Sequence, residues 1–373
     1  MNLLIDGIIF GRQRIGGISK VWEAYLKRLC DYDLNLKLIV PFRRNNPSLR
    51  AVLAQQTGYA IAHDVLYWPS RIFERVPVRS PLLQMFYLDR DIDIFHSTYL
   101  STIYSNKIRK VVTVHDLIPE LFERKQPTPW SAMVLEIRRR VFENADHLIA
   151  VSQNTRDDLL RCYPTISPEQ VSLIYNGIST RDAIDSTLNQ INEQHQIRLS
   201  AHRYYLVVGN RAGYKNFKLI RAWLEAHGSP HDVHVVCVGG EPADRRDLAE
   251  GGLANHFSFL ARVNDDALAT LYRHALALIY PSKYEGFGLP VLEAMAQGCP
   301  VLCSRVSSLP EVGGEAALYF DPDDPASLDD AVRRLAQASR QTLQTKGRAQ
   351  VARFSWDQST RQLFELYQRL QAK

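Results

Sequence analysis

The stretch IYPSKYEGFGLPVLEAMAQGCPVLCS, residues 279–304, reads as the end of a strand, a loop, a helix and a second strand. The first apolar run, LALIYPS (276–282), stops at Pro281, and the loop from Ser282 to Leu289 contains Gly286 and Gly288. Pro290 suits a first helical position, because its ring fixes φ near the helical value and its missing amide proton is not needed there. A helix from Pro290 to Gln297 then begins with unpaired amides and the positive end of its dipole at the loop, a place that stabilises anions. Gly286 and Gly288 allow the backbone to approach a ligand closely. Glu285 and Glu293 bracket the loop with seven residues between them. The spacing puts Glu293 in the first helical turn, where a carboxylate can accept hydrogen bonds from vicinal hydroxyls; taken by itself it reads equally as a partner for the helix dipole.

The same alternation extends in both directions. Short apolar runs occur at NLLIDGI (2–8), LKLIV (36–40), DIFHS (93–97), VVTVH (111–115), HLIAVS (147–152) and VSLIYN (171–176). They recur at YYLVVG (204–209), VHVVCVGG (233–240), FSFL (257–260), LALIYPS (276–282) and PVLCS (300–304). Helical patterns lie between them, for example Ile18 to Leu29, Trp130 to Phe142, Phe217 to Ala226, Asp266 to His274 and Leu328 to Ala338. Strands that are apolar on both faces and separated by helices predict doubly wound parallel sheets, covered on both sides, and the pattern occurs twice. The 373 residues fit two such domains. We expect an N-terminal Rossmann-like domain over 1–178, a polar linker over 179–202, a second Rossmann-like domain over 203–353, and a terminal helix in 354–373 that packs back on the body. That helix has Ser355 as an N-cap candidate and an apolar stripe of Leu363, Leu366, Tyr367 and Leu370. Each sheet would bind ligands at the carboxyl ends of its strands, with the two sets of ends facing a central cleft.

Several chemistries lack their motifs. The spacing of Gly11, Gly16 and Gly17 is not G-x-G-x-x-G, and neither a Walker loop nor a G-x-S-x-G elbow occurs. Five cysteines, Cys30, Cys162, Cys237, Cys299 and Cys303, are irregularly spaced without a C-x-x-C and read as reduced thiols. The longest purely apolar run, Ala275 to Tyr280, is far too short to span a bilayer, and the charge order at the N-terminus is wrong for a signal peptide, so the expectation is a cytoplasmic protein. Residues 1–178 hold 23 Lys and Arg against 18 Asp and Glu, whereas residues 179–373 hold 22 of each. The basic excess of the first half suits an anionic partner: nucleic acid, a membrane surface or a phosphate-bearing substrate.

EGFGLPVLEAMAQGCPVL resembles the signature of the family 4 retaining glycosyltransferases of GT-B fold, in which two glutamates are separated by seven residues around an F-G-L-P core. IGGISKVWEAYLKRL (15–29) resembles that family's Gly-Gly loop and first helix, and VVTVHDLIPELF (111–122) its His-Asp strand end. IAVSQNTRDDLL (149–160), VSLIYNGI (171–178), VVGNRAGYKNFKLI (207–220) and SSLPEVGGEAALYFDP (307–322) follow in the family's order. The resemblance implies a GT-B fold and transfer of a hexose from a nucleotide sugar; a non-catalytic sugar-nucleotide sensor on the same fold is the alternative from another class. It implies that Glu285 faces the reacting sugar, Glu293 binds the ribose, and the amides of Phe287, Gly288 and Leu289 meet the sugar and phosphates. Lys215 would neutralise the diphosphate with help from Arg211, while Asn210 stands where the family often has an arginine. Gly16 and Gly17 would approach the leaving phosphate, and His115 the donor sugar. Asp116 either caps the following loop or acts as a base, and His96 and Ser97 are weaker candidates on the acceptor side.

The resemblance is nearest to bacterial mannosyltransferases that build O-antigen and other surface polysaccharides from GDP-mannose; UDP-hexoses and dTDP- or GDP-deoxyhexoses are the alternatives. Base selection would fall to residues near Val238 to Pro242 and Leu260 to Val263. The acceptor would be a growing glycan, either on a lipid diphosphate met at the inner face of the cell membrane or in solution. No metal or other cofactor is expected, because fixed cations and amide dipoles would stabilise the leaving anion. Asp91-Ile92-Asp93 has the D-x-D form of metal-dependent transferases, but it leads straight into a strand and reads as a turn; Asp321-Pro322-Asp323 reads the same way. The basic and aromatic stretch 67–90, with Arg71, Arg75 and Arg79, is broken by Pro69, Pro77 and Pro81. It reads as a flap for anionic headgroups or the acceptor's diphosphate, or as an ordinary solvated face, and less well as a nucleic-acid surface, for which no module is present.

Overall fold

The computed structural model describes residues 1–12, 16–40, 60–63, 91–103, 105–124, 128–179, 186–211, 213–226, 233–240 and 253–372, together with positions 47, 49 and 52. The chain forms two compact units: Met1–Gly177 with Trp356–Lys373, and Ile178–Ser355. The chain therefore passes between units twice, and at these passages Ile178 pairs with Ser355 and its amide donates to the Phe354 carbonyl at 3.1 Å.

The first unit holds a seven-stranded parallel sheet. Its strands are β1 (Asn2–Asp6), β2 (Asn35–Val40), β3 (Ala60–His63), β4 (Ile94–Ser97), β5 (Arg109–Val114), β6 (His147–Ala150) and β7 (Val171–Leu173). They lie in the order β3-β2-β1-β4-β5-β6-β7. β4 and β6 are buried at every position, as a sheet covered on both faces requires. The terminal helix Trp356–Gln371 belongs to this unit. Leu363, Leu366, Tyr367 and Leu370 are buried, the Trp356 ring meets Tyr25 edge-on at 5.2 Å, and Asp357 accepts from Arg28 at 2.6 Å.

The second unit repeats the design with six parallel strands: β8 (Tyr204–Val208), β9 (His234–Val238), β10 (Phe257–Leu260), β11 (Ala277–Tyr280), β12 (Val301–Ser304) and β13 (Ala317–Phe320). Their order is β10-β9-β8-β11-β12-β13, the doubly wound arrangement in which strand order reverses at β8 and β11. A core of Val235, Cys237, Ile279, Leu302, Trp223 and Leu328 with their neighbours packs the helices Phe217–Ala226 and Pro325–Gln337 on one face.

Three sequence expectations need correction. The stretch 179–202 is not a plain linker. Residues 186–202 belong to the second unit and contain a helix, Leu188–His195, started by a Thr187/Gln190 capping box and anchored by buried Ile191. Polar exposed residues outnumber apolar ones there, which hid the helix. The other two are β3 and β13, which the apolar runs did not suggest. Both are four-residue edge strands, β3 is AIAH with two alanines, and β13 is buried only at its ends; short edge strands carry little alternation or β-branching to read.

Candidate active site

Residues that follow β8 and β11 come together where the second sheet reverses order. After β8 a single tight turn, Gly213–Lys215, is closed by Asn216 in the left-handed region, φ 56°. The Asn216 amide group donates to the carbonyls of Pro281 (3.1 Å) and Pro322 (2.7 Å), which fixes the Lys215 backbone against the end of β11. Lys215 Nζ lies 2.7 Å from Glu285 Oε1 and 3.3 Å from the Tyr280 hydroxyl. Its ammonium is also 5.3 Å and 5.4 Å from the ring centroids of Tyr214 and Tyr280. The two side chains are 19% and 11% exposed, so this ion pair is poorly screened by water or salt.

Two serines hold the glutamate loop. Glu285 N donates to Ser307 Oγ at 2.9 Å, and Ser308 Oγ donates to the carbonyls of Glu285 (2.9 Å) and Phe287 (2.8 Å). Phe287 is buried edge-on against Phe354, 5.7 Å between centroids, leaving its backbone rather than its ring for a ligand. Gly288 has φ 104°, a conformation that favours glycine, and a Cβ there would stand 2.8 Å from Leu309 Cδ2, which would have to shift. The helix Leu289–Ala296 follows, with proline in its first turn and no side chain capping its amides. Because the helix starts at Leu289, Glu293 is its fifth residue and lies past the first turn, not within it as the spacing suggested. Its Oε2 accepts from the Tyr272 hydroxyl at 3.0 Å.

Lys215 and Arg211 leave β8 in different directions. Arg211 is buried, donates to the Gly239 carbonyl after β9, and lies over the Phe259 ring of β10 at 4.8 Å. Lys215 instead turns toward β11, and it is the cation beside Glu285. Asn210 is exposed. Val238 and Leu260 end the adjacent strands β9 and β10 on Arg211's side, and 241–242 lie outside the described residues.

In the first unit, Gly16 is extended and Gly17 opens the helix Gly17–Leu29 without a side-chain cap; nothing lies within 4 Å of where a Gly17 Cβ would be. His115 follows β5 with Nε2 buried and without a hydrogen-bond partner. The ring's pKa is pushed down to about 4 by burial, opposed by a hydrogen bond to the Thr98 backbone and assisted by nearby Arg138. Asp116 caps the loop, its Oδ1 accepting from Ile118 N at 3.1 Å. A buried Arg138 fixes that loop by donating to the Asp116 carbonyl (2.6 Å) and to Glu120 (2.5 Å), which also accepts from Tyr163 at 2.6 Å. His96 is a core residue rather than an acceptor-side group. It is fully buried, with Nδ1 2.5 Å from Tyr367 OH and Nε2 2.9 Å from Thr113 Oγ1. Ser97 is likewise buried, its hydroxyl 2.8 Å from that of Ser101.

The D-x-D reading finds no support in placement. Asp93 precedes β4, at the end of the sheet opposite the carboxyl ends, and accepts from Asn2 N (2.7 Å) and Gln371 (3.0 Å). Asp321 accepts from Asp323 N at 2.8 Å, an Asx turn leading to the helix capped by Asp324. Among the described residues no group of three His, Cys, Asp or Glu is placed to hold a metal ion. Arg71, Arg75 and Arg79 lie outside the described residues. Tyr272, Tyr280, Ser307, Ser308 and Arg138 escaped the sequence reading, since nothing in their spacing tells which loop their polar atoms reach.

Neutral His115 has a consequence for pH. An unfolded histidine takes its proton near 6.5, the buried ring only near 4, so its neutral form contributes stability that is fully present above about 6.5 and is lost as pH falls toward 4. We expect the ratio of wild-type to His115→Ala turnover to stay flat from about pH 5.5 to 8. A step in that ratio near pH 6.5 would show a ring that charges in the working enzyme.

Comparison with known proteins agrees with this layout. A profile described as "Glycosyltransferase Family 4" matches residues 15–182, and one described as "Glycosyl transferases group 1" matches residues 202–338. The chain is 44% identical to the O-antigen chain mannosyltransferase B of Escherichia coli over 270 residues, covering 70% of this chain and 71% of that protein. It is 28% identical to the O-antigen chain mannosyltransferase RfbU of Salmonella typhimurium, covering 61% of each. Among solved structures, the sucrose-phosphate synthase of Thermosynechococcus elongatus superposes with a TM-score of 0.76 at 21% identity, covering 100% of this chain and 99% of that one.

Proposed function

The chain belongs to the family 4 glycosyltransferases of GT-B fold, and on that premise we propose that it moves mannose from GDP-mannose to a hydroxyl of a growing surface glycan, with retention at the anomeric carbon. The observation that carries the reading is the Lys215–Glu285 pair, 2.7 Å apart where the second sheet reverses order. It puts a cation suited to a departing diphosphate next to a carboxylate suited to a ring that becomes positively charged, and transferase chemistry needs both at once. The names of both O-antigen relatives support mannose.

In this reaction the bond from C1 to the diphosphate oxygen breaks as the acceptor oxygen bonds C1 on the same face, and the acceptor's proton passes to the departing phosphate. Lys215 and the amides at Gly288 and Leu289 receive the leaving charge, and Glu293 takes the ribose. Gly16 and Gly17 approach the phosphate, and His115, neutral, accepts from a sugar hydroxyl at Nε2. No metal is required in this scheme. The acceptor glycan is carried on a lipid diphosphate and met at the membrane surface; no helix among the described residues is long and apolar enough to cross a bilayer.

A thermal-shift panel of GDP, UDP, dTDP and ADP tests the donor, since a ligand that binds only the native state raises the melting temperature. GDP is expected to give the largest shift, about 2.7 kcal/mol of stabilisation at a hundredfold excess over its dissociation constant. A larger shift with UDP or dTDP would replace GDP-mannose as the donor.

A further inference from the structure

Two buried tyrosines stand behind the two glutamates. Tyr272, on the helix Asp265–His274, reaches Glu293 Oε2 at 3.0 Å, and Tyr280, the last residue of β11, touches the Lys215–Glu285 pair. We infer that they are positioning residues with separate tasks, Tyr280 holding Glu285 for turnover and Tyr272 holding Glu293 for nucleotide binding. The inference rests on the glycosyltransferase reading above and adds to it the groups that orient its two carboxylates.

The chemistry gives each hydroxyl a direction. Burial, and then the neighbouring carboxylate, raises both phenols well above their ordinary value, so both stay protonated and donate. Tyr280 accepts from Lys215 at 3.3 Å, and the same ammonium donates to Glu285 at 2.7 Å, so phenol and carboxylate share one cation. A diphosphate that draws Lys215 toward itself removes the ion partner of a carboxylate that is nearly out of water, and the Tyr280 hydroxyl, released from the same ammonium, is the donor beside it. A buried carboxylate without a donor is costly, and a glutamate has three rotors through which to escape the geometry transfer needs. Tyr272 has no such shared role. Its ring is buried in the helix face, and its hydroxyl aims one oxygen of Glu293, leaving the carboxylate's orientation rather than its charge as the thing controlled. Both rings fill core space that phenylalanine would fill equally, so the hydroxyls can be removed alone.

The test compares wild type, Tyr280→Phe, Tyr272→Phe and Glu293→Ala, measuring turnover and KM with GDP-mannose and the dissociation constant of GDP by calorimetry. Tyr280→Phe should lower turnover at saturating donor about 10–100-fold with GDP affinity changed less than about twofold. Tyr272→Phe should weaken GDP binding about 5–20-fold and leave turnover at saturating donor within about threefold. This crossed pattern is what packing alone does not produce. Equal losses in both parameters, or no loss in either, would overturn the assignment. The Glu293→Ala arm separates the two levels: if it weakens GDP binding while Tyr272→Phe does not, the positioning role fails alone, and if it leaves GDP binding intact, the placement of the nucleotide fails with it.

Discussion

Lys215→Ala will slow glycosyl transfer by about 10²–10³-fold, the loss expected when a preorganised charge aimed at a leaving anion is removed from a site of low dielectric. The size follows from position. Lys215 is held by a tight turn that Asn216 ties to two carbonyls, so its backbone is fixed beside Glu285, and Arg211 is turned to Gly239 and Phe259. Removing it also takes from Glu285 its ion partner at 2.7 Å, so the melting temperature should fall, and turnover is to be compared below the melting transition. Excess chelator should leave the wild-type rate unchanged. Abolition by chelator with recovery in Mn²⁺ would mean that a metal, not Lys215, carries the leaving charge.

Glu285→Gln separates charge from shape. The amide keeps the length of the side chain but cannot oppose positive charge on the sugar ring, and turnover at saturating donor should drop by about 10² or more. GDP binding should move the other way. With Glu285 charged, Lys215 is neutralised by a partner 2.7 Å away, and a diphosphate must compete for it; with glutamine there the ammonium is available, and GDP should bind about two- to tenfold more tightly. Calorimetry with GDP and single-turnover rates with GDP-mannose read the two effects separately. Weaker GDP binding in this variant would show that Glu285 assists the nucleotide instead of restraining the lysine.

These opposing effects were not legible in the sequence, although the residues were. Glu285, Lys215 and His115 announce themselves as polar residues just beyond apolar strands, the first two in loops that contain glycines, and a parallel sheet exposes the ends of its strands and little else. For the same reason β4 and β5, apolar on both faces, were readable strands, and the buried stripe of the terminal helix was readable from its spacing. His96 shows the limit. It ends an apolar strand as His115 does, yet its two ring nitrogens are taken by Thr113 and by Tyr367, 271 residues further along the chain, and burial pushes its pKa down to about 3.

What the amino-acid sequence determined was the doubly wound class, two such units, and the glycine-rich loop with its paired glutamates, because each depends on residues within a turn or a strand of one another. What only the tertiary structure decided is which polar atoms meet. Lys215 joins Glu285 across 70 residues because β8 and β11 are neighbours in the sheet, Arg211 departs toward β9 and β10, Tyr272 ends at Glu293, and Tyr280 ends at Lys215. Strand order sets these contacts, and hydrogen bonds act over about 3 Å; local periodicity records which face of a strand is buried but not which strand lies beside it.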